Sequence, residues 1–188
     1  MLISELDTPA VIVDLDVMER NLSRMGEYCR KHGLSLRPHA KTHKIPALAH
    51  KQIESGAVGI TVAKLDEAEI MIESGIRDVL IAYPIATERK AQRLASLAVR
   101  ASVAVSLDSV EVAKAVSRQA NERGVKIGIL VELDVGFGRC GVPDEQQALA
   151  LAQQIVALPG LEFRGLMFFP GHMQVLPEQQ ETMRRPIN

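Results

Sequence analysis

Apolar and polar positions along the chain follow two alternating patterns. Short apolar runs rich in β-branched residues predict strands, and stretches with apolar residues three and four positions apart predict helices. The predicted strands lie near Leu36, Gly59, Val79, Val103, Ile127 and Phe163. Successive strands begin about 20 to 36 residues apart, a spacing that suits βα units. The pattern therefore predicts an α/β fold with a parallel sheet.

The helical stretches carry start and stop residues. In the first, apolar residues between Met18 and Cys29 recur at helical spacing, and Gly33 follows as a stop. The other predicted helices each have a cap or proline start, an apolar stripe and a terminator, and they span 46–56, 66–75, 87–100, 109–124 and 143–159. One more apolar segment, 10–14, predicts a strand that precedes the first helix and lies outside the repeat.

Two architectures fit this repeat, a doubly wound open sheet and a (β/α)8 barrel. About six βα units are recognisable in the 188 residues, whereas a complete barrel typically needs about 250 residues. The barrel interpretation therefore predicts an incomplete barrel that is two units short.

Composition narrows the class of protein. A hydrophobic fraction of 47% is enough for a real core, and a net charge of −1 without a basic, aromatic-rich stripe argues against a nucleic-acid partner. The two cysteines, Cys29 and Cys140, lie far apart, so neither a disulfide framework nor a zinc knuckle is predicted. With no signal peptide and no apolar run long enough to span a bilayer, a reducing cytoplasm is the expected location, without membrane contact.

Lys41 ends the first predicted strand, within the segment 37–44 that reads RPHAKTHK and just before Pro46. In strand–helix repeats, functional side chains collect on the loops after the carboxyl ends of the strands. A lysine amine becomes a nucleophile for a Schiff base when desolvation or a cationic neighbour favours its neutral form, and His43 and Lys44 are candidate neighbours. The alternative is a basic surface turn.

A glycine-rich segment, 136–141, follows the fifth predicted strand and matches G-x-G-x-x-G. A dinucleotide-binding fingerprint is disfavoured, because Pro143 indicates that the helix begins after the last glycine and Glu162 falls at the start of the next strand. The glycines could instead allow a tight turn that directs Arg139 at an anionic ligand atom. A solvated arginine in a flexible loop is the remaining interpretation.

Histidines and a tyrosine supply further candidate chemistry. His39 and His43 could form a metal pair in a barrel hydrolase, but no third ligand stands nearby in the sequence. His172 ends the sixth predicted strand, where it is either a functional group or a satisfied structural histidine. Tyr83 ends the third predicted strand.

Four segments, taken together, resemble a known family. They are 7–14, 37–44, 131–142 and 165–172, and they occur in order along nearly the whole chain. The sequence resembles the pyridoxal-phosphate enzymes of the alanine racemase fold, and within them the D-threonine aldolase and D-serine dehydratase-like branch. The RPHAKTHK octet is the most specific part of this resemblance.

The resemblance implies that Lys41 binds pyridoxal phosphate as a Schiff base at the mouth of a (β/α)8 barrel and later acts as a base. It also implies that Arg139 lies near the phenolic oxygen of the cofactor and that His172 lies near the cofactor ring or the substrate. His39 and Tyr83 are further candidate cofactor-binding residues. The implied activity is a lyase reaction on small D-amino acids, either aldol cleavage or elimination. An amino-acid racemase and a non-catalytic pyridoxal-phosphate protein are the alternatives.

Members of that branch continue through the last barrel strands into a β domain, which carries manganese or zinc ligands and also receives the first strand of the chain. The resemblance therefore implies that residues 1–14 belong to a missing β domain and residues 15–188 to a partial barrel without metal ligands. For such a chain we expect weak cofactor binding and little turnover. A homodimer is also expected from the resemblance.

Overall fold

Five parallel strands form the sheet of the computed structural model, which describes residues 2–174. They are β1 (Ile60–Val62), β2 (Asp78–Ile81), β3 (Ser102–Leu107), β4 (Ile127–Glu132) and β5 (Leu161–Met167). The strands lie in the order β1-β2-β3-β4-β5, and each pairs in parallel with the next. In a doubly wound sheet the strand order reverses at a switch point. The order of the described strands does not reverse, which excludes the doubly wound open sheet.

All six predicted helices are present. They are α1 (Leu15–Lys31), α2 (Pro46–Glu54), α3 (Leu65–Glu73), α4 (Glu88–Ala98), α5 (Val110–Glu122) and α6 (Glu145–Ala157). The side chains of Asp14, Thr87 and Ser109 each accept a hydrogen bond from a backbone N–H three residues further on, which satisfies a donor that the helix leaves free. Gly33 follows α1 with a φ of 64°, as its position in the sequence predicts. Within residues 2–174, no helix is long and apolar enough to cross a membrane.

The two faces of the sheet differ in character. On one face, strand residues that share a register row, such as Val62, Ile81 and Val105, are fully buried. Helices α2 to α6 cover this face and contact one another in chain order, which completes the hydrophobic core. The opposite face carries the row Thr61, Leu80, Ala104 and Gly128. This second face leads to the candidate site.

The predicted strand near Leu36 is wrong. The segment does lie beside β1, because the Thr61 N–H donates to the Pro38 carbonyl at 2.8 Å and His39 forms an isolated parallel bridge with Thr61. Pro38 has no N–H to continue the ladder, and a 3-10 turn begins at once over Ala40–Thr42. The other five strand predictions are confirmed.

Residues 10–14 do not form the predicted strand either. They have no regular secondary structure, end at Asp14, which caps α1, and do not join the sheet. Val11 is fully exposed and Ile12 is 60% exposed. A strand needs a neighbour for its backbone hydrogen bonds, and the described residues supply none here. The assignment of residues 1–14 to a separate β domain stays a prediction.

Candidate active site

A cavity of about 280 Å³ opens at the carboxyl ends of the strands. Its lining includes four of the five predicted site residues, namely His39, Lys41, Tyr83 and Arg139, together with Phe169. Tyr83 also lines a neighbouring cavity of about 430 Å³. The topology explains the grouping, since the carboxyl ends of parallel strands meet at one edge of the sheet.

Lys41 projects from the 3-10 turn over Ala40–Thr42, which is anchored by the buried side chain of Ala40. The Lys41 N–H donates to His39 Nδ1 at 3.2 Å, and Lys41 Nζ lies 5.9 Å from the centroid of the Phe169 ring. Burial and the charge of Lys41 lower the pKa of His39, so its imidazole is neutral at neutral pH. His39 therefore orients the lysine turn as a hydrogen-bond acceptor.

The predicted cationic neighbours of Lys41 are otherwise engaged. His43 Nδ1 accepts a hydrogen bond from the Ile45 N–H at 3.0 Å, and Lys44 Nζ lies 3.2 Å from Glu67 Oε1. The cation that shares the Phe169 ring with Lys41 is instead Arg139.

Arg139 is held by a buried carboxylate. Its guanidinium carbon lies 4.9 Å from the Phe169 centroid, and its Nη2 lies 3.2 Å from Oε1 of Glu132, a residue only 1% exposed. The Cys140 thiol donates to the same oxygen at 3.0 Å. Burial and then the bond to Glu132 raise the pKa of Cys140, so the thiol keeps its proton at neutral pH. Arg139 is thus a partly exposed cation at the cavity that pairs with Glu132, and its part in binding a ligand stays a prediction.

The glycine-rich segment forms a tight turn around Asp134. One carboxylate accepts hydrogen bonds from the N–H groups of Gly136, Phe137 and Gly138 at 2.9 to 3.1 Å. Gly136 and Gly138 have φ values of 101° and 70°, a region that favours glycine. Helix α6 begins only at Glu145, after the last glycine. The tight turn is observed, and the late start of α6 contradicts the dinucleotide fingerprint. That the turn directs Arg139 at an anionic ligand atom stays a prediction.

His172 lies against this turn and does not line the cavity of Lys41. Its ring stacks on Phe137 with centroids 6.0 Å apart, and its Nδ1 is buried without a hydrogen-bond partner among the described residues. A Cβ added to Gly136 would lie 3.6 Å from His172 Nε2. Its catalytic role stays a prediction.

The proposed metal pair finds no third ligand in the described part of the chain. His39 and His43 each use Nδ1 to accept a backbone hydrogen bond. Between residues 2 and 174, no three His, Cys, Asp or Glu side chains are grouped so that they could hold a metal ion.

Comparison with known proteins identifies the family. Residues 13–187 match the sequence profile described as "Alanine racemase, N-terminal domain". The chain belongs to this family. Among family relatives, D-threonine aldolase from Arthrobacter sp. is 39% identical over 186 residues, which cover 97% of this chain and 49% of that protein. The 3-hydroxy-D-aspartate aldolase of Paracoccus denitrificans is 37% identical over 188 residues, which cover 97% of this chain and 49% of that protein.

Two solved structures are similar to this chain over nearly its whole length. The crystal structure of D-threonine aldolase from Filomicrobium marinum has a TM-score of 0.93 at 38% identity and covers 96% of this chain and 49% of that one. The structure of D-threo-3-hydroxyaspartate dehydratase from Delftia sp. HT23 has a TM-score of 0.85 at 33% identity and covers 95% of this chain and 48% of that one. The chain spans about half the length of the curated relatives it matches.

The glycine turn of this family member should respond to pH. Backbone N–H groups, Gly138 first, lower the pKa of Asp134. Because the pKa is lower in the folded chain than in the unfolded chain, the carboxylate contributes stability that is fully present above about pH 4 and is lost as the pH falls through the folded-state pKa. We expect Asp134→Asn to lower the urea midpoint at pH 7 and to matter less at pH 3. A midpoint difference of equal size at both pH values would contradict this.

Proposed function

We propose that this protein is a pyridoxal-phosphate-dependent lyase of small β-hydroxy D-amino acids, in which Lys41 attaches the cofactor. The observation that carries the proposal is the position of Lys41 at the strand-end cavity, where it faces the same aromatic ring as the cation Arg139. Relatives named as D-threonine aldolase and D-threo-3-hydroxyaspartate dehydratase support this substrate class.

The residues present fit the cofactor. The Lys41 side chain is exposed, so its amine can be reached from solvent. The cavity of about 280 Å³ is close to the lower end of the range for small-ligand sites, which begins at about 300 Å³. Arg139 supplies a permanent cation for an anionic oxygen, and Phe169 supplies a flat apolar surface.

Pyridoxal phosphate, when bound, withdraws electrons from the α-carbon of an amino acid, so that a bond to that carbon can break. The chain's own residues then have separate tasks. Lys41 Nζ would hold the cofactor and, when its amine is free, would accept or return a proton on its face of the site. Arg139, which pairs with Glu132, would hold the phenolic oxygen of the cofactor. His172 Nδ1, which is buried against the glycine turn, is the second candidate proton carrier.

The described residues do not fit a metal ion as they fit the cofactor. One structure of a relative is described as a metal-free form of D-threo-3-hydroxyaspartate dehydratase, which associates that protein with a metal. The described residues of this chain do not group three ligands, so they do not fit a metal site. We therefore assign no step here to a metal ion.

The test is to incubate the chain with pyridoxal phosphate, treat it with borohydride and map the labelled peptide. We expect the label on Lys41 in preference to other exposed lysines such as Lys31 on α1. Release of glycine and acetaldehyde from D-threonine, compared with L-threonine, then tests the lyase assignment. A label on another lysine, or an equal spread over all of them, would overturn the cofactor assignment.

A further inference from the structure

We propose that Glu67 and Lys44 form a clamp that positions Lys41 for reaction with its cofactor. The proposal rests on the proposed function, because it assumes that Lys41 is the reactive lysine. The clamp is the ion pair between Lys44 Nζ and Glu67 Oε1, at 3.2 Å. Since Glu67 forms no direct hydrogen bond or ion pair with Lys41 in the described structure, it is a positioning residue and not a catalytic one.

The backbone of Lys44 indicates that something holds this turn in place. Among residues 2–174, Lys44 is the one residue other than glycine with a positive φ, at 54°. This left-handed conformation is unfavourable for a residue with a side chain and persists where its surroundings enforce it. The Lys44 N–H donates to the Ala40 carbonyl at 2.8 Å, so the strained residue closes the turn that contains Lys41.

Glu67 ties this turn to the end of β1. Its Oε2 accepts a hydrogen bond from the Ala63 N–H at 2.8 Å, while its Oε1 faces Lys44. Its side chain is only 9% exposed, whereas the Lys44 side chain is 57% exposed, so solvent reaches the ion pair from the Lys44 side only. Burial raises the pKa of Glu67, but the Ala63 amide and Lys44 outweigh this effect, and the net pKa lies below the ordinary value. The carboxylate is therefore ionised at neutral pH.

The clamp acts across the candidate site. Ala63 and Lys41 line the same cavity, one on each of the two segments that Glu67 joins. On the other side of the turn, the Lys41 N–H is held by His39. The backbone of Lys41 is thus fixed from both sides, and its flexible side chain begins from a defined point. Loss of the clamp should let the turn relax and move Lys41 Nζ away from its reactive position.

The experiment compares how fast borohydride-trapped pyridoxal phosphate accumulates on Lys41 in the 188-residue chain and its variants. Labelling of exposed Lys31 serves as the internal reference. We expect Glu67→Gln and Lys44→Met each to slow labelling of Lys41 about tenfold, since small displacements of a reacting group have effects of this order or larger. The double variant should be no slower than either single variant, because both remove the same interaction. The Lys44→Arg variant keeps the charge, so its Lys41 should be labelled at nearly the rate of the original chain.

A matched control and a stability measurement separate positioning from folding. Lys51→Met removes the exposed ion pair between Lys51 and Glu19, at 2.9 Å, and should leave the labelling rate unchanged. Urea midpoints are measured for every variant. A lower midpoint with an unchanged labelling rate would overturn the clamp while leaving Lys41 as the cofactor lysine. If the original chain does not label Lys41 preferentially, both the proposed function and the clamp are wrong.

Discussion

Replacing Lys41 with alanine is expected to abolish preferential attachment of pyridoxal phosphate and to remove any D-threonine cleavage that the chain supports. The variant loses both the nucleophile and a proton carrier, and Arg139 cannot replace either, because its guanidinium stays protonated. The measurement is the borohydride-trapped label, mapped by mass spectrometry, with cleavage followed separately. Because the Lys41 side chain is exposed, the urea midpoint of the Lys41→Ala variant should hardly change.

Lys64→Ala is the matched control for this prediction. Lys64 is also exposed and lies two residues after the end of β1, but it lines the neighbouring cavity. Its replacement should leave the label on Lys41 intact. If Lys64→Ala removes the label and Lys41→Ala does not, the cofactor site belongs to the neighbouring cavity.

Gly141→Ala is expected to destabilise the folded chain by about 3 kcal/mol or more, the largest stability effect that we predict for the glycine turn. Gly141 has a φ of 111°, and an added Cβ would lie 2.5 Å from the backbone nitrogen of Asp134 and 2.7 Å from the carbonyl carbon of Leu133. Backbone atoms cannot move aside as a flexible side chain can. The Gly141 N–H also donates to Asp108 Oδ2 at 2.9 Å, and displacement of the turn would weaken this bond.

Gly138→Ala separates strain from collision. Gly138 has a φ of 70°, but no atom lies within 4 Å of an added Cβ. Only the left-handed backbone should be costly there, by about 1 to 2 kcal/mol. Urea unfolding followed by circular dichroism gives both values. If Gly138→Ala and Gly141→Ala lower the free energy of unfolding equally, the predicted collision at Gly141 does not destabilise the fold.

The helices were predictable because their signals are local. Thr87 and Ser109 each bond a backbone N–H three residues further on, and these bonds depend on neighbours in the sequence. The strand near Leu36 was not predictable in the same way. Its apolar and polar residues alternate as in a strand over 34–37, but Pro38 interrupts the ladder and the following 3-10 turn ends the pairing after a single bridge. Composition alone does not show how many partners a segment will find.

The two cations of the site could be predicted from the sequence, but the residues that contact and position them could not. Lys41 and Arg139 stand after predicted strands, where functional groups collect. Glu132, Glu67 and Phe169 were missed, because a buried carboxylate or a shared ring is defined by tertiary contacts. A signal for Glu132 was available, however. It is a charged residue at the end of the otherwise apolar strand β4, where an unpaired charge would be costly to bury.

Phe169, which lies beneath both cations, gives the site an optical consequence. The chain contains no tryptophan, so Phe169→Trp would introduce a single indole about 5 to 6 Å from Lys41 and Arg139. Its fluorescence should fall when pyridoxal phosphate enters the cavity, because a bound chromophore at this distance quenches the emission. The same titration after Lys41→Ala would report binding without attachment. Unchanged fluorescence would place the cofactor away from this ring.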